Sequence, residues 1–279
     1  MAGYRFAICN EVFQQAPFDR AIAQIQALGY DGVELAPFTL SDDPASLSAA
    51  QRRDIRRTIE DAGLSLVGLH WLLIRPAGLH MTTPDTSVRR RTWDYVHRLI
   101  ELCADLGGGL MVFGSPQQRA AVAGTSPKEA AGILAEELAR AAPRAESAGV
   151  RLLLEALPRN QTNVVNSLAE AVDIVRGIGH PMVQTMFDVH NAIDEREEHS
   201  ELIRKYLPFI AHVHVNEPDG REPGAGDYDF AKLLGTLAEL GYRGWVSVEV
   251  FDFSRGAEEI ARRARATLQA ATPLSLQTI

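Results

Sequence analysis

Four residues of the sequence could together bind a metal ion: Glu155, Asp188, His214 and Glu249. Each closes a short apolar run of the kind that forms a β-strand, and successive members lie 33, 26 and 35 residues apart. Each interval is about the length of one strand–helix unit, and side chains at the same end of neighbouring parallel strands converge in space. Three carboxylates and one imidazole suit a hard or borderline divalent cation. The pattern therefore predicts a metal centre and metal-assisted chemistry.

A purely structural explanation exists for each of these residues taken alone. A single acid at a strand end can cap the next helix, and a lone histidine there is commonly a hydrogen-bonded core residue. Four such residues in successive units are harder to explain in this way. They would bury several acids near one another without a counter-charge, which is costly.

Short apolar runs alternate with longer amphipathic segments eight times along the chain. Several of the short runs are almost continuously apolar, as expected of strands that are covered on both faces. The predicted strands are 4–9, 32–36, 64–70, 109–114, 150–156, 183–188, 209–215 and 244–250. The predicted helices are 17–28, 46–62, 85–106, 127–148, 167–178, 195–206, 228–240 and 255–270.

Eight strand–helix units in 279 residues predict an α/β protein with a (β/α)8 TIM barrel, a single domain over 1–279. A doubly wound open sheet is the alternative, but it usually has a glycine-rich loop after the first strand. Here that position holds residues 9–13, which include no glycine. The longest irregular segments all follow strands, and in a barrel they would lie on the catalytic face: 71–84, 114–126, 157–166 and 215–227.

Composition narrows the function classes. The formal net charge is -8 and the isoelectric point is about 5.5, which argues against a nucleic-acid partner. The two cysteines, Cys9 and Cys103, form no disulfide framework. The sequence shows no signal-peptide pattern and no apolar stretch long enough to cross a membrane, so we expect a cytoplasmic protein with no membrane partner.

Polar residues at other predicted strand ends occupy the same position along their strands as the four candidate metal ligands. Glu34 ends the second predicted strand, His70 ends the third, and Trp71 follows directly. These three residues are predicted to line the pocket or to support its ligands. His212 shares a face of the seventh strand with His214 and is expected to pack lower in the barrel.

Two further residues follow predicted strands and could contact a bound molecule. His190 lies just past the sixth strand, and Arg221 lies in the polar loop after the seventh. This loop continues through the glycine-containing segment 223–227 and could wrap a hydroxylated ligand. An ordinary turn before a helix is the alternative explanation.

Taken together, these motifs resemble the xylose-isomerase-like TIM-barrel superfamily, often described as sugar phosphate isomerases and epimerases. Within it, the chain is most similar to ketose 3-epimerases and hydroxypyruvate-isomerase-like proteins, and the similarity covers essentially the whole chain. It is carried by Leu154-Glu155 with Pro158-Arg159, Phe187-Asp188 with a nearby histidine, His212-Val213-His214 with Arg221 and Pro223-Gly224-Ala225-Gly226, and Val248-Glu249.

The resemblance implies a metal-dependent isomerase of carbohydrate metabolism, acting on a ketose or keto-sugar. One divalent ion, Mn²⁺ with Mg²⁺ and Co²⁺ as alternatives, would be held by the four residues named first. Glu155 and Glu249 would also move protons on opposite faces of the sugar, through an enediolate that the metal stabilises. His190 and Arg221 would contact substrate oxygens.

The chain departs from the family pattern at two positions. The epimerases place a histidine three residues after the aspartate, whereas His190 follows Asp188 by two. They also often carry a second glutamate six residues after the first, where this chain has Gln161. An amide cannot take up a proton, but it can hydrogen-bond a sugar hydroxyl, so Gln161 is predicted to bind substrate.

Three other functions remain open at this point. The same site could catalyse elimination from a 3-keto-sugar. An endonuclease-IV-like repair enzyme would need more histidines, and the fourth strand end, Phe113-Gly114, supplies none. The third is a barrel that binds sugar, or serves as a subunit of a larger enzyme, without turnover.

Members of the resembled superfamily are often oligomeric, so a homodimer or homotetramer is expected. Its interface candidates are Trp93, Tyr95 and the loop 71–84.

Overall fold

Eight parallel strands close into a barrel in their order along the chain, each hydrogen-bonded to the next, with β8 beside β1. A computed structural model describes residues 4–274. The predicted TIM barrel and all eight predicted strands are confirmed, although most observed strands are slightly shorter. The strands are β1 Arg5–Cys9, β2 Gly32–Leu35, β3 Ser65–Leu69, β4 Leu110–Phe113, β5 Arg151–Leu154, β6 Val183–Asp188, β7 Ile210–Val215 and β8 Trp245–Val248.

Helices connect the strands and form the outer layer. They are α1 Phe18–Ala27, α2 Ala49–Asp61, α3 Thr86–Leu106, α4 Pro116–Arg119, α5 Pro127–Ala148, α6 Leu168–Ile178, α7 His199–Tyr206, α8 Phe230–Glu239 and α9 Ala257–Ala271. The eight predicted helices are present, and α4 is an additional short turn inside a loop. Within residues 4–274, no helix is long and apolar enough to cross a membrane.

The predicted start of one helix, at residue 195, is wrong. Helix α7 begins at His199. Glu195 lies before it at the end of a turn, where its backbone N–H donates to the carbonyl of Ala192, and its carboxylate accepts a hydrogen bond of 2.6 Å from the backbone N–H of Leu168, the first residue of α6. The side chain therefore satisfies the start of the preceding helix, where unpaired N–H groups need acceptors.

Local signals explain where the other helices begin and end. Ser126 and Glu129 form a capping box at the start of α5, with Pro127 in the first turn. Gly149 ends α5 at φ 71°, a left-handed conformation that a side chain would strain. The chain then passes directly into β5, so helix and strand meet without a long connection.

Alternating strand residues build two separate apolar layers. Residues such as Val33, Leu152 and Val213 belong to the large core between the barrel and its helices. The alternate residues of the strands point into the barrel, where they form a small apolar cluster: Ala7, Val67, Leu110, Val112, Leu153 and Met186. Glu155 and Asp188 lie two residues beyond Leu153 and Met186, so their side chains share this interior phase. The barrel therefore places polar groups at its rim, above an apolar interior.

Candidate metal centre

The structure brings the four predicted ligands together at the carboxyl-terminal end of the barrel. One ligand atom each of Glu155, Asp188, His214 and Glu249 lies within 4.8 Å of the other three, and all four residues are buried. They come from the ends of the four consecutive strands β5 to β8. In the register of β6 with β7, Asp188 lies directly opposite His214.

The imidazole of His214 is oriented from both sides. Its Nδ1 lies 3.0 Å from Glu249 Oε2 and 3.6 Å from Asp188 Oδ2. Its Nε2 lies 3.0 Å from Glu34 Oε1. When His214 carries its proton on Nε2 and donates it to Glu34, the lone pair of Nδ1 faces the acidic cluster. Metal-ligating histidines usually have this arrangement, with a carboxylate hydrogen-bonded to the ring nitrogen that does not bind the metal.

The cluster carries more negative than positive charge. Burial, together with the nearby charges of Glu249 and Asp188, raises the pKa of Glu155 to about 8. Burial also raises the pKa of Glu249. For His214, burial alone lowers the pKa, but the carboxylates of Glu34 and Glu249 outweigh it and raise the value well above normal.

The two glutamate shifts arise first from burial, which disfavours the ionised carboxylate, and then from repulsion by neighbouring carboxylates. A divalent ion among them would relieve the repulsion and favour their ionised forms. The donor set of three carboxylates and one imidazole therefore fits a hard or borderline divalent cation.

Two asparagines hold the carboxylates in place. The side-chain amide of Asn191 donates to Glu155 Oε1 at 2.8 Å, and its backbone N–H donates to Asp188 Oδ1 at 2.7 Å. The amide of Asn216 donates to Asp188 Oδ2 at 3.3 Å. Sequence reasoning missed both. Their positions, three residues after Asp188 and two after His214, were the available signal.

Arg119 fixes the backbone around Glu155. This fully buried guanidinium donates to the carbonyls of Phe113 at 3.0 Å, Glu155 at 2.7 Å and Val165 at 3.4 Å. It thereby joins the ends of β4 and β5 to the loop before α6. Nothing in the local sequence distinguishes this arginine from a surface residue, so it was missed as well.

A cavity opens above the cluster and is partly covered by aromatic rings. The indole N–H of Trp71 donates to Glu249 Oε1 at 2.9 Å. Trp71 has φ 50°, an unfavourable conformation for a bulky residue, so the surrounding structure must hold the indole there. The residues lining the cavity are His70, Trp71, Val112, Gly114, Ser115, Pro116, Glu155, Leu157, Gln161, Asn191, Glu249 and Phe251.

Three other residues that were predicted to bind substrate lie at or near this cavity. His70 lines it, and its Nε2 lies 2.9 Å from Glu11 Oε2. Gln161 also lines it and donates to Asn191 Oδ1 at 3.2 Å. His190 lies beside them, with its ring centroid 4.8 Å from that of Phe251.

Two residues named as possible substrate contacts do not line this cavity. Glu34 is fully buried, and the imidazoles of His212 and His214 lie over both of its carboxylate oxygens, so it supports His214 without reaching the cavity. Arg221 is partly exposed and does not line the cavity. Its guanidinium instead pairs with Asp219, whose carboxylate is only two residues away in the same turn and lies 2.8 Å from Arg221 Nε.

The fold and the site together define a class: a single-chain (β/α)8 barrel with a buried acid–imidazole cluster at its catalytic rim. The model of the xylose isomerase-like TIM barrel family matches residues 22–271. The chain therefore belongs to that family, and the resemblance seen in the sequence is confirmed.

Relatives of the chain include proteins named as sugar 3-epimerases. The chain is 26% identical over 275 residues to D-psicose 3-epimerase of Ruminiclostridium cellulolyticum, covering 91% of each chain. It is 25% identical to fructoselysine 3-epimerase of Shigella flexneri, covering 85% of this chain and 86% of that one. The predicted class, a sugar epimerase or isomerase, agrees with these relatives.

Solved structures show the same fold. A crystal structure of D-psicose 3-epimerase in the presence of D-fructose superposes with a TM-score of 0.85. It covers 98% of this chain and 100% of its own, at 23% identity. At that identity the match supports the barrel architecture only.

Proposed function

We propose that this protein is a divalent-metal-dependent epimerase or isomerase of a ketose or related keto-sugar. The observation that carries the proposal is the convergence of two glutamates, Glu155 and Glu249, with Asp188 and His214 below one cavity. Relatives named as 3-epimerases of D-psicose and fructoselysine support the same substrate class.

The proposed metal ligands are Glu155, Asp188, His214 and Glu249. Their oxygen-rich donor set favours Mn²⁺, with Mg²⁺ and Co²⁺ as alternatives. When bound, the ion supplies Lewis-acid stabilisation of negative charge on oxygen and makes a neighbouring C–H bond easier to ionise. Glu34 would raise the basicity of His214 from behind.

The proton chemistry is assigned to the two glutamates. Glu155 follows β5 and Glu249 follows β8, so their carboxylates approach the cavity from different sides of the barrel. One would take the proton from the carbon next to the sugar carbonyl, and the other would return a proton to the opposite face. Asn191 and Trp71 each donate a hydrogen bond to one of these carboxylates, which restricts its rotation.

The remaining residues of the cavity would position the sugar. Gln161 and His190 are proposed to contact substrate hydroxyls, and His70 is proposed to contact an oxygen on the opposite wall. The ring of Trp71 would cover one face of the sugar and, with Phe251, keep water from the reacting carbon. No lysine or arginine of residues 4–274 is among those that line the cavity, so neither type of cationic side chain is there to bind a phosphate group. An unphosphorylated sugar is therefore the proposed substrate.

The test is solvent-proton exchange. The purified protein is stripped of metal, then incubated in D₂O with Mn²⁺ and a broad panel of ketoses, and deuterium incorporation is followed by NMR. We expect deuterium next to the carbonyl of at least one sugar, only when both protein and metal are present. A complete lack of exchange across the panel, with metal shown to be bound, would count against the proposal.

Matched variants make the test specific. Glu249→Gln keeps the shape of the side chain but removes its basic group, so exchange should be lost. Glu239→Gln is the control because Glu239 is an exposed glutamate on α8 that pairs with Arg204. Equal activity in the two variants would remove Glu249 from the mechanism.

The expected homodimer or homotetramer stays a prediction, measurable by light scattering.

A further inference from the structure

A second group of buried metal-ligating side chains adjoins the proposed centre. It consists of Cys9 at the end of β1, Glu11 in the following 3-10 helix Asn10–Phe13, His70 after β3, and Glu249. One ligand atom of each lies within 4.8 Å of the other three. Only Glu249 is common to both groups.

Two atoms of this group are buried without a hydrogen-bond partner. They are Oε1 of Glu11 and Nδ1 of His70, which belong to residues that are 4% and 1% exposed. The other atoms of the two side chains, Glu11 Oε2 and His70 Nε2, lie 2.9 Å apart, and His70 Nδ1 lies 3.7 Å from Glu34 Oε1. Buried polar atoms are normally paired, and each exception needs an explanation. A bound cation in this position would provide one, since both atoms are lone-pair donors when the imidazole is neutral at Nδ1.

The donor types differ from those of the first site. Cys9 adds a sulfur ligand, which the group around Asp188 lacks, and its thiol also groups within 4.8 Å with ligand atoms of Glu34 and His214. Thiolate and imidazole ligands with one or two carboxylates are typical of zinc, whereas oxygen-rich sites suit manganese and magnesium. The two groups should therefore select different cations.

We propose that Cys9, Glu11, His70 and Glu249 form a second metal site, selective for zinc-class cations and sharing Glu249 with the first site. The ion would enter through the cavity, which His70 and Glu249 both line. On binding, the S–H bond of Cys9 breaks, a sulfur–metal bond forms, and the proton leaves to solvent.

Because the two sites share Glu249, zinc binding at the second site should affect catalysis, an expectation that rests on the proposed function. A zinc ion held by Glu249 occupies the carboxylate that would otherwise exchange a proton with substrate. Zinc is therefore expected to inhibit the manganese-loaded protein, and substitution of Cys9 should weaken that inhibition.

The binding test uses Co²⁺ as a probe for zinc because cobalt bound to a thiolate gives a sulfur-to-metal charge-transfer absorption. We expect this absorption when the metal-free wild type is titrated with Co²⁺. Cys9→Ser should abolish it. Cys103→Ser is the matched control, since Cys103 is the other cysteine of the chain and its thiol donates to the carbonyl of Leu110 at 3.3 Å.

Glu11→Gln provides a second variant that leaves both thiols intact. It should raise the Co²⁺ concentration needed for half of the absorption by at least about tenfold. Total zinc bound at saturation, measured on dialysed protein, should be one ion per chain lower in Cys9→Ser than in the wild type. Circular dichroism of each variant shows whether it has folded.

The proposal is overturned if folded wild type with excess Co²⁺ shows no thiolate absorption. It is equally overturned if the absorption survives Cys9→Ser or disappears in Cys103→Ser. These readouts need no turnover, so failure of the second site and failure of the sugar-epimerase proposal give different results.

Discussion

The two halves of the barrel contribute differently to the candidate site. The half formed by β5 to β8 supplies all four clustered ligands, each from a strand end. The half formed by β1 to β4 and its loops supplies none of them, yet it supplies several of the groups that hold them, alongside Asn191 and Asn216 of the other half. Glu34 lies against His214, Trp71 donates to Glu249, and Arg119 binds the carbonyl of Glu155.

This division teaches that the site depends on closure of the barrel. The second half could bring its four side chains together through neighbouring strands alone. Their orientation, however, requires hydrogen bonds from residues distant in sequence, such as Glu34 to His214, which are separated by 180 positions. Substitutions of the four ligands in the second half should therefore abolish chemistry, and substitutions of their supports in the first half should weaken it by degrees.

The largest effect is expected in the second half, at Glu249. Glu249→Gln removes a base without removing the side chain's bulk, so deuterium exchange into the responsive ketose should fall by about 10²–10⁴-fold, the usual contribution of a general base. The rate is measured by NMR at saturating Mn²⁺. A fall of less than about tenfold would show that another group moves the proton.

A first-half substitution that displaces a ligand should rank next. Gly114 directly follows β4, and a Cβ there would overlap Glu155 Oε2. Gly114→Ala should displace this carboxylate and reduce exchange by about 10²-fold, as small misplacements of catalytic groups do. The free energy of unfolding should fall by only about 1 kcal/mol because the displaced group is the end of a side chain.

Gly109→Ala is the control for this effect. Gly109 directly precedes β4, and a Cβ there would meet nothing within 4 Å. Its exchange rate should match that of the wild type. If both alanine variants lose activity equally, alanine disturbs the strand itself, and displacement of the Glu155 carboxylate does not explain the loss.

The halves also differ in how much of them the sequence could predict. Glu155 and Asp188 end apolar runs, so strand periodicity alone fixed their phase and their end of the barrel. Strand order added the rest, since consecutive parallel strands are neighbours in a barrel. The fold and the converging ligands follow from local patterns repeated along the chain.

The supporting contacts do not follow from such patterns. Arg119 looks like a surface arginine in sequence, and only the folded chain shows the three carbonyls around it. Glu34 was predicted at the right strand end, but its burial under His214 depends on packing across the barrel. Side-chain direction is set by these competing partners, which one-dimensional patterns do not contain.

Glu34→Gln should have an intermediate effect. Glutamine keeps a hydrogen-bond acceptor but removes the negative charge that lies against His214. Loss of a carboxylate behind a ligating histidine typically weakens metal affinity by about 10–100-fold. Isothermal titration with Mn²⁺ measures it, with Glu60→Gln, an exposed pair with Arg56, as the control. Unchanged Mn²⁺ affinity would show that the two halves are not coupled through His214.

The smallest effect is expected at Arg221, which belongs to the second half but does not line the cavity. The resemblance places this arginine on substrate oxygens, whereas the structure pairs it with Asp219 at the surface. Exposed ion pairs contribute about 0–1 kcal/mol. Arg221→Ala should therefore change kcat and KM for the responsive ketose by no more than about fivefold, and Asp219→Ala should behave alike. A much larger rise in KM for Arg221→Ala alone would mean that the guanidinium leaves Asp219 when sugar binds. The second half would then supply a substrate contact as well as the ligands.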